Sequence, residues 1–306
     1  IEKQSYDKYV NNFKRFFKNG ISDISKRTIS SIDEDELEIF IKKTIKHYKL
    51  KPKGYRDMKC LIREMFKTAR KNKQTDIIIS FFLEDIDINK KLYGKSFKEE
   101  SECVFTDEEI EKLWDYVFSL KEPEVRDFGV LLGFFTGLRA SEISALTASA
   151  INDKVIHVCR TEKRYKDEEG HYLYDVDNSG KTEASIRNIV LVPESRILLE
   201  RIKEINPNGE FLFEKPNGER FIGKAFTNKL KSLCKAVGIK ERSFHKTRAT
   251  FITKMINAGV EETVILNQAG HTKIETSREH YEYNNRSLDN AAVQLERALS
   301  FKNFNH

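Results

Sequence analysis

Through the first third of the chain, apolar residues recur at intervals of three and four, the spacing that lines one face of an α-helix. It predicts helices over about Tyr6–Lys18, Asp33–Tyr48 and Gly54–Lys73, followed by a short apolar run, IIISFFL, near Ile77–Leu83. In the third helix Met58, Leu61, Ile62, Met65, Phe66 and Ala69 form one apolar stripe, while Arg56, Lys59, Arg63, Lys67 and Arg70 fall at the same intervals on the other side. No alternating strand pattern appears before residue 150. The stretch between Asp87 and Val104 is polar and charged with one Gly and no apolar period, as expected of an interdomain linker. Beyond it, FTDEEIEKLWDYV opens a helix capped by Thr106 or Asp107, with acids in its first turn. Pro123 introduces VRDFGVLLGFFTG, apolar almost throughout and therefore a buried helix. KVIHVCR, HYLYDVD and SIRNIVLV are β-branched or alternating and point to a small antiparallel sheet. From Glu194 helices return, with a short strand expected at EFLF. The chain is thus expected to be α-rich, in two domains: a helical domain over 1–92, a linker over 93–104, a mixed α+β domain with the small sheet over 105–286, and a tail helix over 287–306.

At 306 residues the chain is long enough for two domains with separate cores. Its 54 Lys and Arg against 48 Asp and Glu leave a net charge of only +6, but the balance is +8 over residues 1–100 and −2 over the remainder. Residues 49–73 hold ten basic residues and two acids, a bias that ordinary solvated helix faces do not carry. An anionic partner for the N-terminal part, nucleic acid above all, follows from that asymmetry; the competing explanation is a solvated face. Cys60, Cys103, Cys159 and Cys234 show neither CxxC nor Cys/His spacing, so neither a structural metal nor a disulfide framework is expected. No apolar run has the length of a membrane span, and the first residues lack a leader pattern. A soluble, cytoplasmic protein is expected. Because residue 1 is Ile, the chain reads as a fragment or a processed form.

Four places carry candidate chemistry. In GLRASE, Arg139 follows Gly137 at the end of the buried helix and Glu142 lies three residues later; alone, such a pair is more often a structural salt bridge. Lys181 stands in the turn of NSGKTEASIR, where Asp175 occupies the position at which a phosphate-binding P-loop needs Gly, which excludes that motif. His245 and Arg248 sit one turn apart after Ser243, the expected N-cap of a helix reaching about Ala258, with no acid beside them. A phosphate between them would satisfy both donors; a solvated polar face is the alternative. Finally, Gly270 and His271 precede Tyr281, with Tyr283 two residues on and about 200° further round a helix.

Taken in order, GLR-x-SE, a hairpin Lys within KT-x-x-S-x-R, H-x-x-R, G-H and a following Tyr resemble the tyrosine recombinases, the integrase family of phages and conjugative transposons, over residues 103–285. The hairpin wording and FTDEEIEKL are most similar to the conjugative-transposon branch. The resemblance implies a helical core-binding domain and a catalytic domain that together clamp duplex DNA, and a site-specific recombinase that joins strands through a 3′-phosphotyrosyl intermediate in the integration and excision of a mobile element. It implies Arg139 and Arg248 on the scissile phosphate, Lys181 as general acid, His245 and His271 as further donors or base, Glu142 behind them as an orienting group, and Tyr281 as nucleophile in preference to Tyr283. The chemistry is consistent with that set. A guanidinium fork matches phosphate geometry and stays charged, and exchange of one phosphoester for another needs no ATP, metal or other cofactor.

The implied partners are double-stranded recombination sites, three further protomers in a tetramer on two sites, and accessory excision or DNA-bending proteins, with no membrane. The family often carries a small arm-binding domain as well, and none is expected within residues 1–306, which start close to the first core-binding helix. In the tail, Leu288, Ala291, Ala292, Leu295 and Leu299 share one helical face, and the resemblance implies that this face docks on a neighbouring protomer. Two rivals stand beside the recombinase reading: a catalytically silent DNA-binding relative, and a nicking-closing enzyme of the type IB topoisomerase kind.

Overall fold

Asp33 accepts a hydrogen bond from the Glu36 amide at 2.8 Å, and Glu36 reaches back to the Asp33 amide, a capping box that starts a helix where the acids cluster. The computed structural model describes residues 3–21, 23–94, 103–178 and 186–270. They group into two compact units, the segment up to Gly94, to which residues 165–170 are assigned, and the rest from Cys103. Among the described residues, no helix is long and apolar enough to cross a membrane.

The first unit contains α1 (Lys3–Phe13), extended by a π-helical turn over Lys14–Lys18, then α2 (Glu34–His47), α3 (Pro52–Lys71) and α4 (Ile79–Asp85). Phe16 and Phe17, Phe40 and Ile41 of α2, Met58 and Ile62 of α3, and Phe82 and Leu83 of α4 bury into one core. The apolar stripe of α3 faces inward as its spacing predicts, with Met65 half-buried at its edge. Arg56, Lys67 and Arg70 are exposed and Arg63 half-buried. Lys59 departs from this basic face: its Nζ donates at 2.5 Å to the Leu83 carbonyl, one of the carbonyls at the end of α4 that the helix itself leaves without a donor.

The second unit opens with α5 (Asp107–Ser119), capped by Thr106 in a capping box with Glu109, and α6 (Val125–Thr136). Val130, Leu131 and Leu132 of α6 are wholly buried, and α6 packs against α8 (Pro193–Ile205), α9 (Gly223–Ala236) and α10 (His245–Asn257). The remaining α-helices among the described residues are α7 (Ala140–Ser144) and α11 (Glu262–Ala269). Among the described residues, four strands, β1 (Val155–Val158), β2 (Thr161–Lys166), β3 (Tyr172–Asp177) and β4 (Arg187–Val190), form two separate two-stranded sheets, β1 with β4 and β2 with β3. In the first, Val155 faces Val190 and Val158 faces Arg187, antiparallel.

Three expectations change. The β-region is two pairs, because TEKRYK supplies β3 with a partner; that segment is half-buried almost throughout, so no alternation marked it in the sequence. EFLF forms no strand: Phe211 makes an isolated bridge to Thr147 while Leu212 and Phe213 enter the core. The regular part of α10 begins at His245 and is entered through a backbone turn: Phe244 is already in helical conformation and the Lys246 amide bonds the Ser243 carbonyl at 2.8 Å.

Candidate functional site

The end of α6 begins the site. Gly137 takes the left-handed conformation at φ 62°, and a Cβ there would lie 2.4 Å from Cδ1 of Phe251 on α10. Only Gly satisfies both the backbone and the close approach. The turn it makes points the Gly137 carbonyl at Arg248, whose Nη1 donates to it at 2.7 Å, and delivers Arg139 as the residue that opens α7.

Arg139 is bound twice to Glu142. Its amide donates to Oε2 at 2.8 Å and its Nη1 to Oε1 at 2.6 Å. The Arg139 side chain remains 36% exposed, whereas that of Glu142 is 5% exposed. Beneath, Arg187 from β4 grips the same carboxylate with both Nη atoms, at 3.0 Å to Oε1 and 2.9 Å to Oε2. Burial by itself would push the Glu142 pKa up; the hydrogen bonds and charge of Arg187, joined by Arg139, outweigh it and hold the carboxyl at about 2. Glu142 is therefore ionised at any physiological pH, and its orienting pull on Arg139 is permanent.

Arg248 is fully buried. Its Nη1 bonds the Gly137 carbonyl just past α6, and its Nη2 bonds the Ala269 carbonyl at the last residue of α11. Both acceptors lie at helix C-termini, the negative ends of helix dipoles, where a cation is stabilised by roughly 0.3–1 kcal/mol and by up to about 2 in buried geometry. The missing acidic neighbour of H-x-x-R thus has an explanation within the fold that neither the phosphate nor the solvated face expected from the sequence contained. The neighbouring carbonyl, of Gln268, accepts Nε of Arg187 at 3.0 Å. Consecutive carbonyls at the end of α11 therefore hold two different arginines, and Gly270, left-handed at φ 60°, ends the helix immediately afterwards.

Of the residues expected from the sequence, Arg139, Glu142 and Arg248 lie in this one network. His245 is exposed at the first position of α10, one turn from a buried Arg248, so the two do not share an environment. Lys181, His271, Tyr281, Tyr283 and the tail helix lie outside the described residues. The α3 ladder belongs to the other unit. Sequence reasoning missed Arg187 and Gln268. Arg187 stood inside the KT-x-x-S-x-R run, and the signal was its position: β4 buries alternate residues, Arg187 and Ile189, and a charge on an inward strand position calls for a buried counter-charge. Gln268 carried no comparable signal. A second buried pair supports the scaffold. Glu162 at the start of β2 accepts from Arg220 at 2.6 Å, from the Ser144 hydroxyl at 3.2 Å and from the Gly223 amide at 3.0 Å, joining β2 to α7 and to the start of α9.

Residues 103–287 match the phage integrase family. The tyrosine recombinase XerC-like protein of Caldanaerobacter subterraneus subsp. tengcongensis is 29% identical over 197 residues, 58% of this chain and 49% of that protein. The chain therefore spans about half the length of the curated relative it matches. Among solved structures, the Tn1549 transposon integrase in complex with transposon right-end DNA superposes with a TM-score of 0.73 at 20% identity, covering 98% of this chain and 95% of that one. A lambda integrase dimer bound to a COC′ core site gives 0.64 at 16% identity, covering 94% and 92%. At these identities the likeness shows the fold, α-rich with small antiparallel sheets.

Proposed function

The chain belongs to the phage integrase family, and on that premise we propose that it is a site-specific DNA recombinase of the tyrosine type, acting in the integration and excision of a mobile element. The observation that carries the reading is the bridge made by Arg248. Its guanidinium bonds the carbonyl two residues before Arg139 and the carbonyl two residues before His271, so motifs more than a hundred residues apart in sequence converge on one side chain. Two guanidinium groups, of Arg139 and Arg187, hold one carboxylate, and the one with an exposed side chain is Arg139. Such a site suits an anion that arrives from solution.

In this reading Arg139 and Arg248 hold the non-bridging oxygens of the scissile phosphate. Both are fixed before substrate arrives, Arg139 by Glu142 and Arg248 by helix-end carbonyls, so their donors stabilise charge in the transition state without first being ordered. The Tyr281 oxygen attacks phosphorus, the bond from phosphorus to the 5′-oxygen breaks, Lys181 supplies the proton to that leaving oxygen, and His271 or His245 receives the tyrosine proton. Attack by a 5′-hydroxyl of another strand reverses these steps and frees the enzyme. Arg187 and Glu142 act behind Arg139, orienting it.

Residues 1–92 form the core-binding domain with α3 as its DNA face, 105–286 the catalytic domain, and 287–306 a tail that docks on a neighbouring protomer within a tetramer on two duplexes. Incubation with nicked duplexes derived from candidate element ends tests the reading: a covalent protein–DNA adduct that survives denaturation supports it, and binding without any adduct on such substrates refutes it in favour of a silent relative.

A further inference from the structure

We infer that Gln268 is a positioning residue of this site, locking the last turn of α11 onto the free edge of β4 and thereby setting where Arg187 and Arg248 stand; the inference rests on the recombinase reading above. β4 pairs with β1 along one edge. Leu191, just past its end, donates to the Lys154 carbonyl at 2.8 Å, so the backbone groups of Arg187, Ile189 and Leu191 point toward β1. Those of Asn188 and Val190 then point the other way, as alternation along a strand requires. On that edge lies the side chain of Gln268, which is 9% exposed. Its Oε1 accepts the Val190 amide at 3.0 Å and its Nε2 donates to the Asn188 carbonyl at 3.4 Å. A carboxamide presents the same acceptor and donor as a peptide unit. Here it occupies the place of a third strand at an edge that would otherwise leave backbone groups without partners.

The main chain of the same residue completes the attachment. The Gln268 carbonyl accepts Nε of Arg187, itself on β4, and the next carbonyl accepts Arg248. One residue therefore joins β4 and α11 through both side-chain ends and its carbonyl. Glutamine is suited to this and its neighbours in size are not. Leucine has the shape but no polar atoms, and an ionised glutamate keeps the acceptor for Val190 while turning a second oxygen on the Asn188 carbonyl. Without the carboxamide, the end of α11 loses its register on β4, and the carbonyls of 268 and 269 no longer set the separation of the two guanidinium groups.

The test compares Gln268→Leu and Gln268→Glu with the wild-type protein on one nicked duplex, measuring duplex affinity and the single-turnover rate of adduct formation separately. Misplacement of groups by about 1 Å costs on the order of a hundredfold in rate, so a fall of about ten- to a hundredfold is expected while affinity stays within about twofold. Because Gln268 acts in part through Arg187, adding Gln268→Leu to an Arg187→Lys protein should cost less than it does in the wild type. A rate within about twofold of wild type, a parallel fall of rate and affinity, or losses that multiply in the double variant would each overturn the inference. Thermal melting shows whether the Leu variant folds, and if it does not, the isosteric Glu variant carries the comparison. The wild-type control separates the two levels. No adduct from wild type on any duplex removes the recombinase reading and this inference with it, whereas a wild-type adduct with unaffected Gln268 variants removes only the inference.

Discussion

Arg187 and Glu142, 45 residues apart in sequence, form a two-pronged ion pair at 3.0 and 2.9 Å with each side chain 5% exposed. The pair does more than fill the interior. Glu142 has a second guanidinium to hold, that of Arg139, and Arg187 fixes the carboxylate at the angle from which it does so.

The pair makes the fold acid-sensitive. The Glu142 carboxyl titrates at about 2 in the folded protein against an ordinary 4.5. Between those values the unfolded chain binds the proton and the folded one does not, so the stability contributed by Glu142 is complete above pH 4.5 and is lost as pH falls through 2. Glu142→Gln should lower stability near neutrality by about 3–5 kcal/mol, since it strands a buried guanidinium, and should flatten the loss of melting temperature on acidification in this window. Parallel pH–melting curves for the two proteins would contradict the assignment.

Gly137→Ala should destabilise by roughly 1–3 kcal/mol from backbone strain alone, and more where the new Cβ meets the Phe251 ring at 2.4 Å. Because the same turn aims a carbonyl at Arg248, strand cleavage should fall beyond what the shift in melting temperature explains. Trimming Phe251 to Leu in the Gly137→Ala background should recover part of the stability, whereas no recovery would mean the ring is not what the methyl meets.

Arg139→Lys keeps the charge and loses the fork. Loss of a donor that acts only in the transition state costs about a hundred- to a thousandfold in rate, so adduct formation should fall on that scale with duplex affinity little changed. Tyr281→Phe should bind and form no adduct at all. An adduct from the Phe variant would transfer the nucleophile's part to Tyr283, and Tyr283→Phe would then be the variant that is silent.

The basic residues of α3 should divide by what each touches. Neutralising exposed Arg56 and Arg70 should weaken binding to every duplex and reduce the log–log salt slope by about one unit for each phosphate that is no longer neutralised. Lys59, committed to the Leu83 carbonyl, should behave otherwise: Lys59→Met should lower the melting temperature, at about 1 kcal/mol for one hydrogen bond, with little change in salt slope. A slope that responds to Lys59 and not to Arg56 or Arg70 would reverse this division.

Local information carried much of the architecture. The amphipathic period of α3, the capping boxes at Asp33 and Thr106, and the unbroken apolar run of α6 each depend on residues within a few positions of one another, and each produced the element it predicts. The motif order was likewise legible, because residue type and spacing carry the family likeness without any knowledge of contacts. TEKRYK was not legible as a strand, since a half-buried two-stranded ribbon imposes no apolar alternation on its members.

What sequence alone determined was therefore which helices form and which side chains are candidates for chemistry, both set by short-range pattern. Tertiary structure alone decided what those side chains bind. Arg248 rests on the ends of two helices, Lys59 on the end of a third, and Arg187 and Gln268 join a strand to a helix some 80 residues away. The acceptors at Arg248 and Lys59 are backbone carbonyls, and Gln268 meets main-chain groups of β4. Every residue but proline offers the same donor and acceptor, so composition cannot mark which ones will be used. Their availability at a particular point arises only when a helix ends or a strand edge is left open beside the right side chain, and that is a property of the packed chain.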